Sequence, residues 1–474
     1  MSEKYKTTIG LEIHAELKTV TKMFCNSKND PDEKKPNVNI CPVCMGYPGT
    51  LPVINKQAVK HVLSMGVAVG GEIADFTEFD RKNYFYPDIP KGYQLSQYQF
   101  PLIKGGKLSG VALTRIHLEE DTARSSHESN DCSLVDFNRS GLPLMELVTE
   151  PVIHSAKEAG DFARELQLLL QYLGAGEANM EKGEMRVEAN ISVSDTKDFG
   201  IKVEVKNLNS FKTVEKAIEY EVARHIELLE KGEKVIQETR GWDENKEATF
   251  SQRAKEDSHD YRYFPDPDLP KLMLSEIPEF SHAKLKAELP ELPWERRERY
   301  KTKFELKAGD IDIFVNDVAW ADYFEKTIEG FKGDKKLVQL SANYLSSDLL
   351  GLIKKEPNAW KTNPIPADDF ASLISMIHEG KLSSRAAKDI LAIMFNGGGS
   401  AEKIAEERGL LQKNDPEALK KIIEGIIAGN PKVVADYKAG KEASLQFLIG
   451  QAMKETKGSA NPKTLQELFK SQLK

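Results

Sequence analysis

Four stretches in the first 210 residues alternate apolar and polar side chains with a period of two, and this pattern limits the possible folds more than any other feature. Ile9, Leu11, Ile13 and Leu17 fall on one side of a strand, and Glu12, His14 and Glu16 on the other. Met145 and Leu147 oppose Glu146 and Glu150. Val187, Ala189, Ile191 and Val193 oppose Arg186, Glu188, Asn190 and Ser192. Ile201, Val203 and Val205 oppose Lys202, Glu204 and Lys206. Successive side chains of a strand point to opposite faces, so the pattern predicts a sheet with one packed and one polar face.

Helical spacing lies between these strands. Ser155 and Glu158 form a capping-box pair ahead of Phe162, Leu166, Leu169, Leu170 and Leu173, with Gly174 or Gly176 placed to end the helix. A second stripe, Val214, Ala217, Ile218, Val222, Ile226 and Leu229, closes at Gly232. Both helices are expected to cover the apolar face of the sheet. Pro278, Pro290 and Pro293 mark a linker across 275–294, after which strand patterns vanish and helical spacing continues to the end. Asn396-Gly-Gly-Gly-Ser400 marks a second joint. The expected organisation is an α+β domain at 1–293, a helical domain at 294–400 and a helical tail at 401–474. A chain of 474 residues has room for it, at roughly 100–200 residues per domain.

Composition excludes several classes. No run approaches the roughly 18 apolar residues of a membrane span, and MSEKYKTTIG at the start has no apolar signal core. Four cysteines make no disulfide scaffold. A cytoplasmic protein without membrane association is expected. The net charge, 66 − 74 = −8, argues against a surface coated in basic charge for general nucleic-acid binding. Residues 401–474, by contrast, carry 13 Lys/Arg against 10 Asp/Glu, with Lys441, Lys454, Lys457 and Lys463 as candidate phosphate contacts.

The polar faces carry the chemistry. Glu12 and His14 project the same way from one strand, Glu146 and Glu150 from another, and Glu119, Glu120 and Asp121 stand at a strand end. Carboxylates with an imidazole, gathered from several strands, suit Mg²⁺ or Mn²⁺ and through it nucleotide phosphates. Arg186, Lys202 and Lys206 offer counter-charge. Taken one at a time, each face also reads as an ordinary solvated strand, and spacing does not establish that the strands are neighbours. The chain has no G-x-x-x-x-G-K-[ST], no G-x-G-x-x-G and no G-x-S-x-G. Any nucleotide must therefore be held by a metal-centred sheet rather than a phosphate loop.

Cys41-Pro-Val-Cys44, with Cys25 sixteen residues before it, has zinc-ligand spacing, but Ser27 stands where a fourth cysteine belongs. A structural zinc site and a metal-free loop both fit that pattern. Two further segments, Asp80-Arg-Lys-Asn-Tyr-Phe-Tyr-Pro-Asp88 and Asp260-Tyr-Arg-Tyr-Phe-Pro-Asp-Pro-Asp268, mix cations with aromatics. Such loops stack bases or line pockets, or simply place core aromatics beside surface charge.

Together these segments closely resemble the B subunits of the bacterial tRNA-dependent amidotransferases. The resemblance rests on the two aromatic segments, Ile9-Gly-Leu-Glu-Ile-His14, His117-Leu-Glu-Glu-Asp121, Leu144-Met-Glu146 with Thr149-Glu-Pro151, and Val205-Lys-Asn-Leu-Asn-Ser-Phe211. Gly450-Gln-Ala-Met-Lys454 and Gly458-Ser-Ala-Asn-Pro462 extend it into the tail. It implies an antiparallel-sheet cradle of the glutamine synthetase and guanido kinase kind, followed by helical and tRNA-binding tail domains. It implies ATP-dependent phosphorylation of the side-chain carboxylate of Glu-tRNA(Gln) or Asp-tRNA(Asn). Amidation then follows, by ammonia channelled from a separate amidase, the A subunit, with a small C subunit bracing the heterotrimer. By the same resemblance His14, Glu120 and Glu146 are Mg²⁺ ligands, with Glu12 direct or through water. Lys82, Arg186, Lys206 and Arg262 contact phosphate or substrate, Lys206 and Arg262 on the nucleotide side. Many relatives carry C-x-C followed by C-P-x-C as a zinc site, leaving Cys25, Cys41 and Cys44 as candidates here.

Overall fold

The computed structural model describes residues 4–129, 132–254, 261–362, 364–412, 416–456 and 460–473. The chain divides into two compact units, 1–293 and 294–474.

The first unit is built on strands β1 (Lys6–Glu16), β2 (Asp80–Asn83), β3 (Tyr93–Ser96), β4 (Val111–Glu120), β5 (Pro143–Thr149), β6 (Met185–Ser194), β7 (Val203–Leu208), β8 (Glu238–Asp243) and β9 (Ala248–Ala254). Helices α1 (Lys56–Ala68), α2 (Ala156–Tyr172) and α3 (Phe211–Glu230) belong to it as well. The main sheet runs β9-β8-β7-β6-β1-β5-β4, extended past β4 by Ile103–Lys104 and Glu72–Ile73. The mixed α+β character is as the alternation predicts. The expectation of an antiparallel sheet needs one correction: β7 and β8 run parallel, with Glu204 opposite Thr239. The 20-residue helix α3 joins them, and a parallel pair needs such a crossover.

The apolar face is the predicted one except at Ile201, which is 50% exposed and lies ahead of β7. Ile9, Leu11, Ile13, Val187, Ala189 and Ile191 are at most 1% exposed. Phe162, Leu166 and Leu169 of α2 and Val214, Ala217 and Ile218 of α3 are buried with them. Each large aliphatic side chain withdrawn from water in this way contributes about 1.5–3 kcal/mol before entropy is charged. The helix ends follow the sequence signals. Ser155 Oγ accepts the Glu158 N–H at 3.2 Å, and the Glu158 carboxylate reaches back to the His154 N–H at 2.9 Å. Gly174 takes φ +62°, a left-handed turn that an L side chain resists.

Pairing register decides which polar residues meet. His14 lies opposite Arg186 on one side and Glu146 on the other, Glu12 opposite Glu188, and Glu146 opposite His117. A smaller sheet of β2, β3 and Phe264–Pro265 draws the two aromatic segments together.

The expected linker at 275–294 is not an open chain. Short helical turns at 274–276 and 278–280 lead into helix His282–Glu288, where Leu285 is fully buried and Glu288 pairs with Lys60 of α1 at 2.7 Å. Its prolines restrict the chain, but buried Leu274, Phe280 and Leu285 pin it down. Every described element after residue 293 is helical. Beyond Asn396–Ser400, where Gly397 and Gly399 take φ +85° and +96°, Leu419, Ile423, Leu445, Leu448, Leu465 and Phe469 form a core of their own. Among the described residues no helix is long and apolar enough to cross a membrane.

Candidate metal and phosphate site

On the polar face of the main sheet, Glu12, His14 and Glu146 each offer a ligand atom within 4.8 Å of the others. His14 Nε2 is 3.5 Å from Glu119 Oε1 and 3.5 Å from Glu146 Oε2. His117 Nε2 is 3.3 Å from Glu146 Oε2, while its buried Nδ1 has no hydrogen-bond partner among the described residues. Burial raises the Glu12 carboxyl to about 7, aided by the charges of Glu146 and Glu188. Burial opposes the His14 imidazolium, but the hydrogen bond to Glu146 and the Glu119, Glu146 and Glu188 charges outweigh it and lift its pKa to about 9. Burial likewise opposes the Glu146 carboxylate, yet His117 and His14 hold it well below the usual range. Like charges crowded in this way repel unless a cation joins them. Hard oxygen donors with an imidazole fit a divalent ion such as Mg²⁺ or Mn²⁺. Glu12, His14 and Glu146 would hold it, with Glu119 at hand.

Two cationic posts flank this cluster. Arg186 Nη2 donates to Asp121 Oδ2 at 2.9 Å, and Arg139 Nε lies 3.4 Å from the same oxygen. Beside them, burial and Asp121 raise the Glu16 carboxyl to about 8 against the pull of Arg139 and Arg186. On the other side Lys206 Nζ donates to Glu188 Oε2 at 2.8 Å and sits 3.7 Å from Glu204 Oε1. Glu188, Glu204 and Glu12 form a second group of carboxylates within 4.8 Å. Both posts can meet phosphate oxygens beside a bound metal.

The structure thus brings Glu12, His14, Glu146, Arg186 and Lys206 to one face. It places Glu120 on the opposite side of β4, where its carboxylate binds Lys91 and accepts the Leu95 N–H at 2.9 Å. Glu150 accepts from Thr114 beyond a register shift at Val148/Thr149, away from Glu146. Lys202 is exposed ahead of β7. Lys82 sits among tyrosines in the field of Glu119 and Glu146. The Arg262 side chain is exposed, and its backbone takes φ +45°. Asp260 lies outside the described residues, as does Lys457. The carboxylate that sequence reasoning undervalued is Glu119, and His117 was not singled out. The strand rule already separates His117 and Glu119 from Glu120.

Cys25, Cys41 and Cys44 also come together, their sulfurs within 4.8 Å. The Cys41 N–H donates to Cys44 Sγ at 3.1 Å, and the buried Lys22 ammonium lies 3.9 Å from it. A hydrogen bond from Cys25, with Lys22 and the Cys41 N–H, draws the Cys44 thiol down to about 5 against its burial. Three sulfurs fit three places of a structural zinc site; Ser27 Oγ, 3.9 Å from Cys44 Sγ, stands at the fourth.

Comparison with known proteins shows the family. The GatB/GatE catalytic domain family matches residues 7–278, and the GatB domain family matches 322–473. The chain is 42% identical over 484 residues to the B subunit of the aspartyl/glutamyl-tRNA(Asn/Gln) amidotransferase of Carboxydothermus hydrogenoformans, covering 99% of each chain. It is 43% identical over 483 residues to that of Moorella thermoacetica, covering 99% of this chain and all of the other. With nearly every residue aligned and the polar-face cluster in place, the chain belongs to the family of aspartyl/glutamyl-tRNA(Asn/Gln) amidotransferase B subunits.

Proposed function

We propose that this chain is the ATP-dependent subunit of a carbon–nitrogen ligase that converts Glu-tRNA(Gln) or Asp-tRNA(Asn) to Gln-tRNA(Gln) or Asn-tRNA(Asn). The observation that carries the reading is the cluster of Glu12, His14, Glu119 and Glu146 beside Arg186, in a chain of this family. A carboxylate is a poor electrophile because its oxygen leaves badly. Attack of that oxygen on the γ-phosphorus of ATP releases ADP and leaves an acyl phosphate. Ammonia then adds to the acyl carbon, phosphate departs with the bonding electrons, and a proton is lost. Glu12, His14 and Glu146 would hold a divalent ion, which would supply charge neutralisation for the triphosphate. Arg186, braced by Asp121, and Lys206, braced by Glu188, present cations toward that face, as phosphate transfer needs.

The polar-faced sheet serves as a cradle of the glutamine synthetase and guanido kinase kind. Ammonia comes from glutamine hydrolysed by the amidase, or A, subunit, and a small C subunit completes a cytoplasmic heterotrimer. Residues 294–400 form a helical domain and 401–474 a tRNA-binding tail. At Cys25, Cys41 and Cys44 the proposal is at most one structural zinc. Metal analysis of zinc-replete protein tests it, and a Cys41→Ser chain with unchanged zinc content would remove the assignment.

Glu146→Gln tests the reaction. In the assembled complex it should keep the fold and lower ADP formation with misacylated tRNA by about 100-fold or more, since even partners that only orient metal ligands are worth 10–100-fold. Wild-type turnover by that variant would end the reading.

A further inference from the structure

The two aromatic segments, some 180 residues apart, form one surface. Tyr98 stacks on Tyr263 with ring centroids 4.3 Å apart and planes 10° from parallel. Edge-to-face contacts extend it: Tyr263–Tyr261 at 6.0 Å and 75°, Tyr261–Tyr84 at 5.7 Å and 66°, and Tyr84–Tyr86 at 5.9 Å and 65°. Its ends face water: Tyr98 is 64% and Tyr86 56% exposed. Lys82 Nζ lies 4.9 Å from the Tyr261 ring and 5.8 Å from the Tyr84 ring, and among the described residues no carboxylate pairs with it.

The backbone holds this series rigidly beside the metal face. Asn83 donates from its N–H and its Nδ2 to Tyr261 O, and from Nδ2 to Arg262 O at 2.8 Å, which fixes the left-handed turn between the tyrosines. Asp80 Oδ2 accepts the Tyr98 N–H at 3.1 Å. Gln97 Oε1 accepts the N–H of Leu118, the residue between His117 and Glu119. Tyr98, the residue after Gln97, is thereby held against the strand that presents His117 and Glu119.

We propose that this tyrosine series is the stacking platform for the unpaired 3′-terminal nucleotides of the acyl-acceptor RNA. The proposal rests on the reading that the acceptor is an aminoacyl-tRNA. The aminoacyl group is an ester of the terminal ribose, so a side-chain carboxylate at the metal face brings the terminal base within one nucleotide's length of it. The exposed rings at the two ends of the series, Tyr98 and Tyr86, suit unpaired bases, since every base has a π-face to stack. Lys82, held between the Tyr84 and Tyr261 rings and without a carboxylate partner among the described residues, offers its charge to the phosphates between the bases. An isolated nucleotide base would need only one ring or slot, not exposed rings at both ends of a series.

The test uses the assembled complex with Tyr98→Leu/Tyr263→Leu, and Tyr98→Phe as the conservative control. Binding is measured with intact tRNA and with tRNA lacking the terminal adenosine, and KM is measured for misacylated tRNA and for ATP. The double variant should raise the tRNA KM about 5- to 100-fold, the range for losing one base–aromatic stack, and leave the ATP KM unchanged. Its binding defect should shrink to within about twofold on the shortened tRNA, and Tyr98→Phe should behave as wild type. An equal defect on both tRNAs, or an unchanged tRNA KM, would overturn the platform. A rise confined to the ATP KM would overturn it in favour of the nucleotide's own base. The binding comparison needs no ATP. Absence of ADP formation by the wild-type complex would therefore end the functional reading without deciding this one.

Discussion

Strand β4 and the residue after it bury His117, Glu119, Glu120 and Asp121 at 2–4% exposure, whereas helix Val318–Glu329 of the second unit buries Trp320, Ala321, Phe324 and Ile328. Among the described residues of the second unit, the buried polar side chains are Thr327 and Ser341. The first unit adds Glu204, Glu221, His225 and Glu238 far from β4. Withdrawing charge from water costs several kcal/mol unless each group finds a partner, so the first unit is stable only while its networks stay complete. The second unit rests on non-directional packing. The proposed site lies where burial is costly, because partly desolvated charge is what a metal and a phosphate can use.

The largest effect should come from cutting one network and one apolar core and comparing the two. Glu221, fully buried on α3, accepts from Arg224 at 2.8 Å and lies 3.1 Å from Arg240. Burial opposes its charge, but His225, Arg224 and Thr249 hold its pKa down to about 2. A depressed carboxyl contributes stability that is complete above its ordinary pKa near 4.5 and is lost as pH falls toward 2. Glu221→Ala should therefore cost about 3–5 kcal/mol at pH 7, and about 1 kcal/mol less at pH 3.5. Phe324→Ala should cost about 3–5 kcal/mol at both. Denaturant titrations at the two pH values decide it; a pH-independent cost for Glu221→Ala would break the contrast.

A smaller effect separates the two faces of β4. Glu119→Gln should lower ADP formation about 10- to 100-fold and move its Mg²⁺ dependence to higher concentration, because Glu119 stands at His14. Glu120→Gln should leave the Mg²⁺ dependence in place, its carboxylate being tied to Lys91 and Leu95. The reverse outcome would return Glu120 to the metal.

The smallest effect concerns the tail. Removing residues 401–474 should leave glutamine hydrolysis by the complex intact. It should raise the tRNA KM about tenfold and flatten the salt dependence of tRNA binding, because each lost phosphate contact removes released counterions. Lys441 already pairs with Asp436 at 3.1 Å, so it should contribute less than Lys454. Equal salt slopes with and without the tail would show that it makes no phosphate contacts.

Much of this was legible before any coordinates. Period-two alternation identified the strands and their packed side, because a strand's geometry is local. The capping pair Ser155/Glu158 and the glycines at 174 and 232 located two helices for the same reason. The resemblance of the long motifs pointed to the family. Glu12, His14, Glu146 and Arg186 were nominated from the faces they occupy.

Tertiary structure decided what local patterns do not encode. Strand order and register brought Glu146 between His14 and His117, and set Glu12 against Glu188. The parallel pairing of β7 with β8 followed from the path of α3. Glu119 and Glu120 are adjacent and chemically alike, yet the pleat sends one to His14 and the other to Lys91. Tyr98 and Tyr263 meet only because a small sheet pairs segments distant in sequence. Residue type and local period determine what each face can do. Which faces meet depends on long-range pairing and packing, whose free energy belongs to the whole chain.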